Sequence, residues 1–334
     1  MKKNFARILT AVSVSAMTLT AMAPFAYADD FKVGICQLVQ HPALDAATKG
    51  FRDELQAKLE ADGDTVTFDE QNAAGDSATC ATIVNAFVND GDNLIMANAT
   101  PALQAAQAAT GDIPILGTSV TDYGTALDIS DWKGTTGTNI SGTSDLAPLD
   151  KQAELFKELL PDAKNVGVLY CSAEPNSKYQ ADTITPYLED EGYTVTAYTF
   201  ADSNDLQNVA TTAFSENEAI YIPTDNTAAS NTGIVQAVSL DKKVPAICGE
   251  EGIASGCGIA TLSISYEELG KTTGDMAYEI LKNGADVSTM EVQFAPNVTK
   301  EYNADMCGKL GIEVPDDYVA IGASAETEAE TEAE

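Results

Sequence analysis

The chain has 334 residues, and its 18 Lys and Arg against 51 Asp and Glu give a formal net charge of −33. That balance repels nucleic acid and anionic membrane surfaces and disfavours a polyanionic ligand. With 44% apolar residues, the length allows two domains of ordinary size, each with its own core.

Lys2, Lys3 and Arg7 form a positive n-region, residues 8–23 are apolar, and Ala26-Tyr27-Ala28 is an A-x-A cleavage signal. Residues 1–28 therefore read as a secretory signal peptide. A membrane anchor is the poorer reading, because Ser13, Ser15, Thr18, Thr20 and Pro24 interrupt a run short of the ~20 residues a span needs. The first cysteine, Cys36, falls inside a predicted strand, so no lipobox is read. The product is expected outside the cytoplasm, periplasmic or extracellular.

From residue 31 strand and helix patterns alternate, which argues for parallel sheets covered by helices. Strands are read at 31–35, 65–68, 93–96 and 114–116, and helices at 44–59, 77–88 and 101–109. A polar, turn-rich stretch follows at 121–137, and then the pattern restarts. Helices at 152–160, 176–191, 205–214 and 227–240 alternate with strands at 165–169, 194–199, 219–222 and 245–247. A strand at 259–263, a helix at 266–281, a strand near 292–294 and a helix near 304–310 complete the series. Residues 321–334, where Glu alternates with Ala and Thr, read as a disordered acidic tail.

Two stretches, 93–103 and 218–228, are built alike: an apolar strand, a Thr-bearing turn and a helix start. Pro101 suits a first helical turn, and Asp225, Asn226 or Thr227 can cap the second helix. Free amides and the positive end of the helix dipole point outward at such turns, where α/β sheets bind ligands. One turn in each half predicts two lobes facing one ligand across a hinged cleft.

Cys36, Cys80, Cys171, Cys248, Cys257 and Cys307 are even in number and lack C-x-x-C spacing, so neither a metal site nor a cofactor is expected. Outside the cytoplasm disulfides are their natural use. Cys248 and Cys257, flanking a Gly-rich turn, are the candidate pair. His41 is the sole histidine, which leaves little room for His-based catalysis. An exported hydrolase built on Asp122, Asp145, Asp225, Glu250 and Glu251 finds no supporting motif. A ligand-sensing ectodomain would use the same cleft as a carrier.

In order, the chain carries G-I-C-Q-L-V-Q-H-P-A-L-D at 34–45, Ala99-Thr100-Pro101-Ala102, Ser119-Val120-Thr121-Asp122, Val166-Gly167-Val168-Leu169-Tyr170, Glu174-Pro175-Asn176-Ser177, Pro223-Thr224-Asp225-Asn226-Thr227 and Gly249-Glu250-Glu251-Gly252. Over about residues 31–318 it closely resembles the substrate-binding proteins of the tryptophan/tyrosine ABC transporter family, a branch of the type I periplasmic-binding-protein fold. The resemblance implies an α/β protein of two Rossmann-like lobes with parallel sheets and a multi-strand hinge. Residues 29–143 plus 262–288 would form the first lobe and 144–261 plus 289–320 the second. It further implies a monomeric, non-enzymatic receptor that captures an amino acid, aromatic by preference, for a permease and an ATPase.

An α-amino acid is a zwitterion, so its receptor needs donors for a carboxylate and acceptors for an ammonium. Thr100 with the turn after Pro101, and Ser119 with Thr121, offer the donors. Asp225 with Glu250 or Glu251 offers the acceptors. Gln37, His41, Asp122, Asn176, Thr224 and Asn226 complete the expected ligand set, with Tyr123 or Tyr170 as a flat wall. Tyr123 stands where the family usually has Pro, and Cys171 where it often has Asn.

Overall fold

The computed structural model describes residues 29–295 and 297–322. The signal segment and the Glu-rich end lie outside the described residues. A first α/β series comprises β1 (Asp30–Gln37), α1 (Pro42–Asp62), β2 (Thr65–Asn72), α2 (Ser77–Asp90), β3 (Leu94–Asn98), α3 (Thr100–Ala109), β4 (Ile115–Val120), α4 (Tyr123–Leu127) and β5 (Ile140–Ser144). A second comprises α5 (Leu149–Leu159), β6 (Asn165–Cys171), α6 (Pro175–Asp190), β7 (Thr194–Phe200), α7 (Ser203–Glu216), β8 (Ala219–Ile222), α8 (Asn226–Ala229), α9 (Thr232–Lys242), β9 (Ala246–Cys248), α10 (Glu251–Cys257) and β10 (Ala260–Ser263). The chain then returns through α11 (Tyr266–Leu281), β11 (Gln293–Phe294), β12 (Thr299–Tyr302), α12 (Ala304–Leu310) and β13 (Val319–Ala320).

These strands form two sheets. The first has the order β2-β1-β3-β4-β5-β11 with every pairing parallel. The second has the order β7-β6-β8-β9-β10-β12-β13, parallel except where β12 meets β10. Helices cover both faces, so the inner strands are apolar on both sides; β3 and β8 are buried at every residue. Local signals set the boundaries. Asp76 accepts the amide hydrogen of Thr79 at the start of α2, and Gly63 and Gly91, at φ +85° and +70°, end α1 and α2.

The chain crosses between the sheets three times, after β5, after β10 and after β11. The second crossing carries α11 back onto the first lobe, where it lies across α1. The two helices meet through glycines: a Cβ on Gly50 would come 2.2 Å from the Glu267 carbonyl oxygen, and one on Gly270 would come 2.1 Å from that of Ala47. A small cluster of Ala43, Ala47, Ala147, Ile264, Tyr266 and Leu269 fills the hinge side between the lobes.

Two expectations need correction, and one strand lies where no element is expected. β11 pairs with β5, so the chain leaves the first lobe after residue 294, not after 288. β5 lies just past the polar stretch at 121–137 and had no apolar run to announce it; Ser141, Thr143 and Ser144 are fully buried because their hydroxyls bond to Met290 O, Thr118, Thr273 and Thr121 O. The Cys248–Cys257 bridge is not formed: all six cysteines are free thiols, and this pair packs as small apolar groups in one core. Among the described residues no helix is long and apolar enough to cross a membrane.

Gly270→Val drives a methyl group into a carbonyl that the opposing helix holds in place. It should destabilise the protein by about 2 kcal/mol in denaturant unfolding. Gly111→Ala, where nothing lies within 4 Å, should change stability little.

Candidate functional site

In the first lobe the site grows from the carboxyl ends of β3 and β4. Ala99, at the turn out of β3, has φ +87°, and Ser119, near the end of β4, has φ +53°. Neither is glycine, so each costs on the order of 1–3 kcal/mol and needs its surroundings to hold it. Ala99 donates its amide hydrogen to Thr118 O at 3.0 Å, tying the turn to the residue that precedes Ser119. The strain starts α3 abruptly at Thr100-Pro101, with no side chain capping its first turn. The amides of Thr100 and Ala102 therefore face outward from buried positions, while Pro101 has no hydrogen to donate. The Ser119 hydroxyl beside them is buried without a partner.

Gln37 is used inside this lobe. Its amide nitrogen donates to Val39 O and Asp45 Oδ1, and its oxygen accepts from Thr48. Asp122 caps α4 through the Thr125 amide. Tyr123 is no cleft wall. It is fully buried, donates to Thr143 O at 3.1 Å and stacks on Trp132. It fits because Gly117 and Gly142 leave its hydroxyl room; a Cβ on Gly142 would lie 2.4 Å from it. Tyr170 packs in the second lobe's core.

In the second lobe the organiser is Glu174, which the sequence reading passed over. One of its oxygens accepts from the Thr227 amide and hydroxyl, and the other from the Asn226 amide and side chain and from Asn176 Nδ2. Glu174 holds the N-cap position of α6 yet caps none of that helix's amides; the amides it gathers are those of Asn226 and Thr227 at the start of α8. Asp225 beside it is almost fully buried, caps α8 through Ala228 N at 2.8 Å and takes Cys171 N at 2.7 Å. Burial, with the Glu174 charge added, pushes its carboxyl up to about 8. Both oxygens thus serve the backbone, and the ammonium role expected of Asp225 loses its free acceptor.

Asn176 keeps one. Its nitrogen donates to Thr224 O, Glu174 and Ser177, which fixes the amide's orientation and leaves Oδ1 buried and unpartnered.

The lobes touch through these groups. Gln180 of α6 donates to Thr121 Oγ1 at 3.1 Å and accepts from Thr224 N, and Thr121 donates to Asp145, which also accepts from Tyr266. His41 Nε2 lies 3.3 Å from Asn226 Oδ1. Asn226 spends its nitrogen on Glu174, so His41 is the donor and its buried Nδ1 is left with a free lone pair. Burial lowers the His41 pKa, outweighing the upward pull of Asn226, Glu174 and Asp45.

A cleft cavity of about 270 Å³ opens here, walled by Leu38, Val39 and Pro101 on one side and by Glu174, Asn226 and Thr227 on the other. Glu250 and Glu251 do not join it. They line a separate hinge-side cavity, where Glu250 caps α10 through the amides of Gly252 and Ile253. Of the expected set, Pro101 and Asn226 line the cavity, His41, Thr121, Asn176 and Thr224 belong to the hydrogen-bonded contact between the lobes, and Thr100 and Ser119 sit at the carboxyl ends of β3 and β4. Gln37, Asp122, Glu250 and Glu251 are engaged elsewhere.

A family model described as ABC transporter substrate binding protein matches residues 32–326. A tyrosine-binding protein of Clostridioides difficile (strain R20291) is 41% identical over 250 residues, 75% of this chain and 72% of that protein. An ABC domain from Streptococcus pneumonia solved in complex with L-Trp is 33% identical, covers 86% of this chain and 97% of its own, and superposes with a TM-score of 0.82. A ligand-free, open substrate-binding protein with adhesive properties from Clostridium difficile is 39% identical and covers 87% and 99%, with a TM-score of 0.67. The less identical complex superposes better than the open protein, in keeping with lobes here in contact through His41 and Asn226. A match over nearly the whole chain, on two α/β lobes whose strand ends meet at one cleft, makes this protein a member of the ABC transporter substrate-binding family.

Proposed function

We propose that the chain is the extracytoplasmic receptor of an amino-acid importer and takes a free aromatic α-amino acid into the inter-lobe cleft. The observation that carries this reading is a complementary pair of buried polar groups on opposite lobes. The uncapped α3 turn and the Ser119 hydroxyl present donors suited to a carboxylate, and Asn176 Oδ1 presents an acceptor suited to an ammonium. Native proteins rarely leave buried polar atoms unpaired, which supports reading these groups as the ones a dipolar ligand would satisfy. Leu38, Val39, Pro101 and Ala173 supply apolar surface for an aromatic side chain. The tyrosine-binding relative and the L-Trp complex support the ligand class. Residues 1–28 serve as the export signal, and the released monomer delivers its ligand to a permease and an ATPase.

The reading proposed is of a receptor without turnover. Glu174 and Asp225 are a buried carboxylate pair, but their oxygens are filled by amides, so neither is poised as a general base.

L-tyrosine and L-tryptophan are the first ligands to test by thermal shift. At 100 times its dissociation constant the correct one should add about 2.7 kcal/mol to stability. Ser119→Ala should weaken binding tenfold or more with folding unchanged, since a bond to a charged group contributes about 1.5–3 kcal/mol, and Asn176→Ala should weaken it as much while also lowering stability, because it removes the bonds to Glu174 and Thr224 O. Wild-type affinity in Ser119→Ala would remove the carboxylate assignment. His41 supplies a pH signature. Its pKa is lowered where the lobes meet, so the separated lobes bind a proton more readily than the joined ones, and closure weakens as pH falls below the ordinary value of 6.5. Calorimetric affinity should therefore fall between pH 7.5 and 5.5, and His41→Gln should flatten that dependence.

A further inference from the structure

The hinge-side cavity has about 600 Å³ and shares no lining residue with the cleft. Pro42, Ala43 and Ala46 of α1 and Glu267 of α11 form its first-lobe wall, and Glu251, Glu301 and their neighbours form its second-lobe wall. Four carboxylates line it (Glu250, Glu251, Glu267 and Glu301), and no Lys or Arg does. Glu250 is spent on its helix cap, and Glu267 is shared loosely with Lys49 and Lys271, each at 3.5 Å. Glu251 and Glu301 have no cationic partner among the described residues.

Acidic side chains abound in this protein, so their clustering alone says little. The floor of the cavity adds an independent observation. Thr261 of β10 pairs directly with Glu301 of β12, and Ser263 pairs with Thr299; paired and alternate residues share one face of a sheet. Ser263, Thr299 and Glu301 all line the cavity, so Thr261 lies on that same face. Thr261 is fully buried, and its hydroxyl has no partner, nor has the buried Oε2 of Glu301. Two adjacent orphaned polar atoms at the base of an acidic chamber call for an occupant.

We propose that this chamber is a second ligand site, which binds an aliphatic diamine or polyamine cation between Glu251, Glu267 and Glu301. A chain of ammonium groups fits better than one metal ion, because among the described residues no group of carboxylates converges closely enough to hold a metal. Ammonium groups separated by methylenes reach spaced carboxylates, and their apolar segments lie against Pro42, Ala43, Ala46 and Ile264. Both lobes contribute walls, so occupancy is coupled to closure and, by reciprocity, closure to amine affinity.

The cation also has a proton signature. Burial, with the Glu251 charge added, pushes Glu301 up to about 7, and burial raises Glu251 as well. The ionisable groups around Glu301 are Glu250 and Glu251 from α10 and Tyr266 and Glu267 from α11; α1 contributes none to the lining. A cation favours the ionised carboxylate, so binding lowers its pKa, releases protons near pH 7, and tightens as pH rises through 7.

Titration calorimetry of the purified protein with spermidine at 150 mM NaCl tests the proposal. One saturable site is expected, with a heat that depends on the buffer's ionisation enthalpy. Glu301→Gln and Glu251→Gln should each weaken it at least tenfold, while Ser119→Ala, which disables the cleft, should leave it unchanged. If Glu301→Gln fails to fold, Glu251→Gln and the buffer dependence decide the matter. Absence of saturable binding, or binding indifferent to both Gln variants as for amine condensed on an acidic surface, would overturn the proposal without touching the cleft assignment.

Discussion

A buried amide hydrogen must find an acceptor, and the architecture of this protein follows from leaving a few of them without one. Ala99 and Ser119 take backbone conformations that only surrounding structure can enforce, and the result is a buried helix start with no side-chain cap of its own. The sheet supplies the rigidity. Parallel strands hydrogen-bonded on both sides hold the turn in place and keep α3 from capping itself.

The second lobe answers with the reverse arrangement. There two carboxylates, Glu174 and Asp225, absorb nearly every amide at the ends of β6 and β8. One lobe is short of acceptors, and the other has an amide oxygen, Asn176 Oδ1, to spare. On the proposed reading, binding strength across the cleft depends on how firmly each lobe holds its own unmatched groups. That is preorganisation, and the hydrogen bonds behind the surface supply it. Gln37, Thr48 and Asn98 do this for the first lobe, Gln180 and Thr224 for the second.

What was legible in the sequence was whatever local chemistry dictates. The two Thr-bearing turns, the Pro starts and the apolar strands of both sheets could be read directly, because each depends on a few neighbouring residues. β5 could not: Ile140-Ser141-Gly142-Thr143-Ser144 is a core strand whose burial depends on hydroxyl partners more than a hundred residues away in α11. Tyr123 was misread for the same reason, since its place is made by two glycines on different strands. Glu250 and Glu251 looked like partners of Asp225 because sequence gives proximity to a turn but not the side of the hinge it faces. Glu174 was invisible as a hub because four of its five donors come from Asn226 and Thr227, more than fifty residues away.

The return of α11 to the first lobe has a temporal side. That lobe begins at residue 30, yet the helix that covers α1 spans 266–281, and the second sheet needs β12 at 299–302 for an inner pairing. Neither half is a complete folding unit until almost the entire polypeptide has emerged. Although each lobe has its own core, their maturation is interleaved, and a chain interrupted anywhere before residue 293 would leave both unfinished.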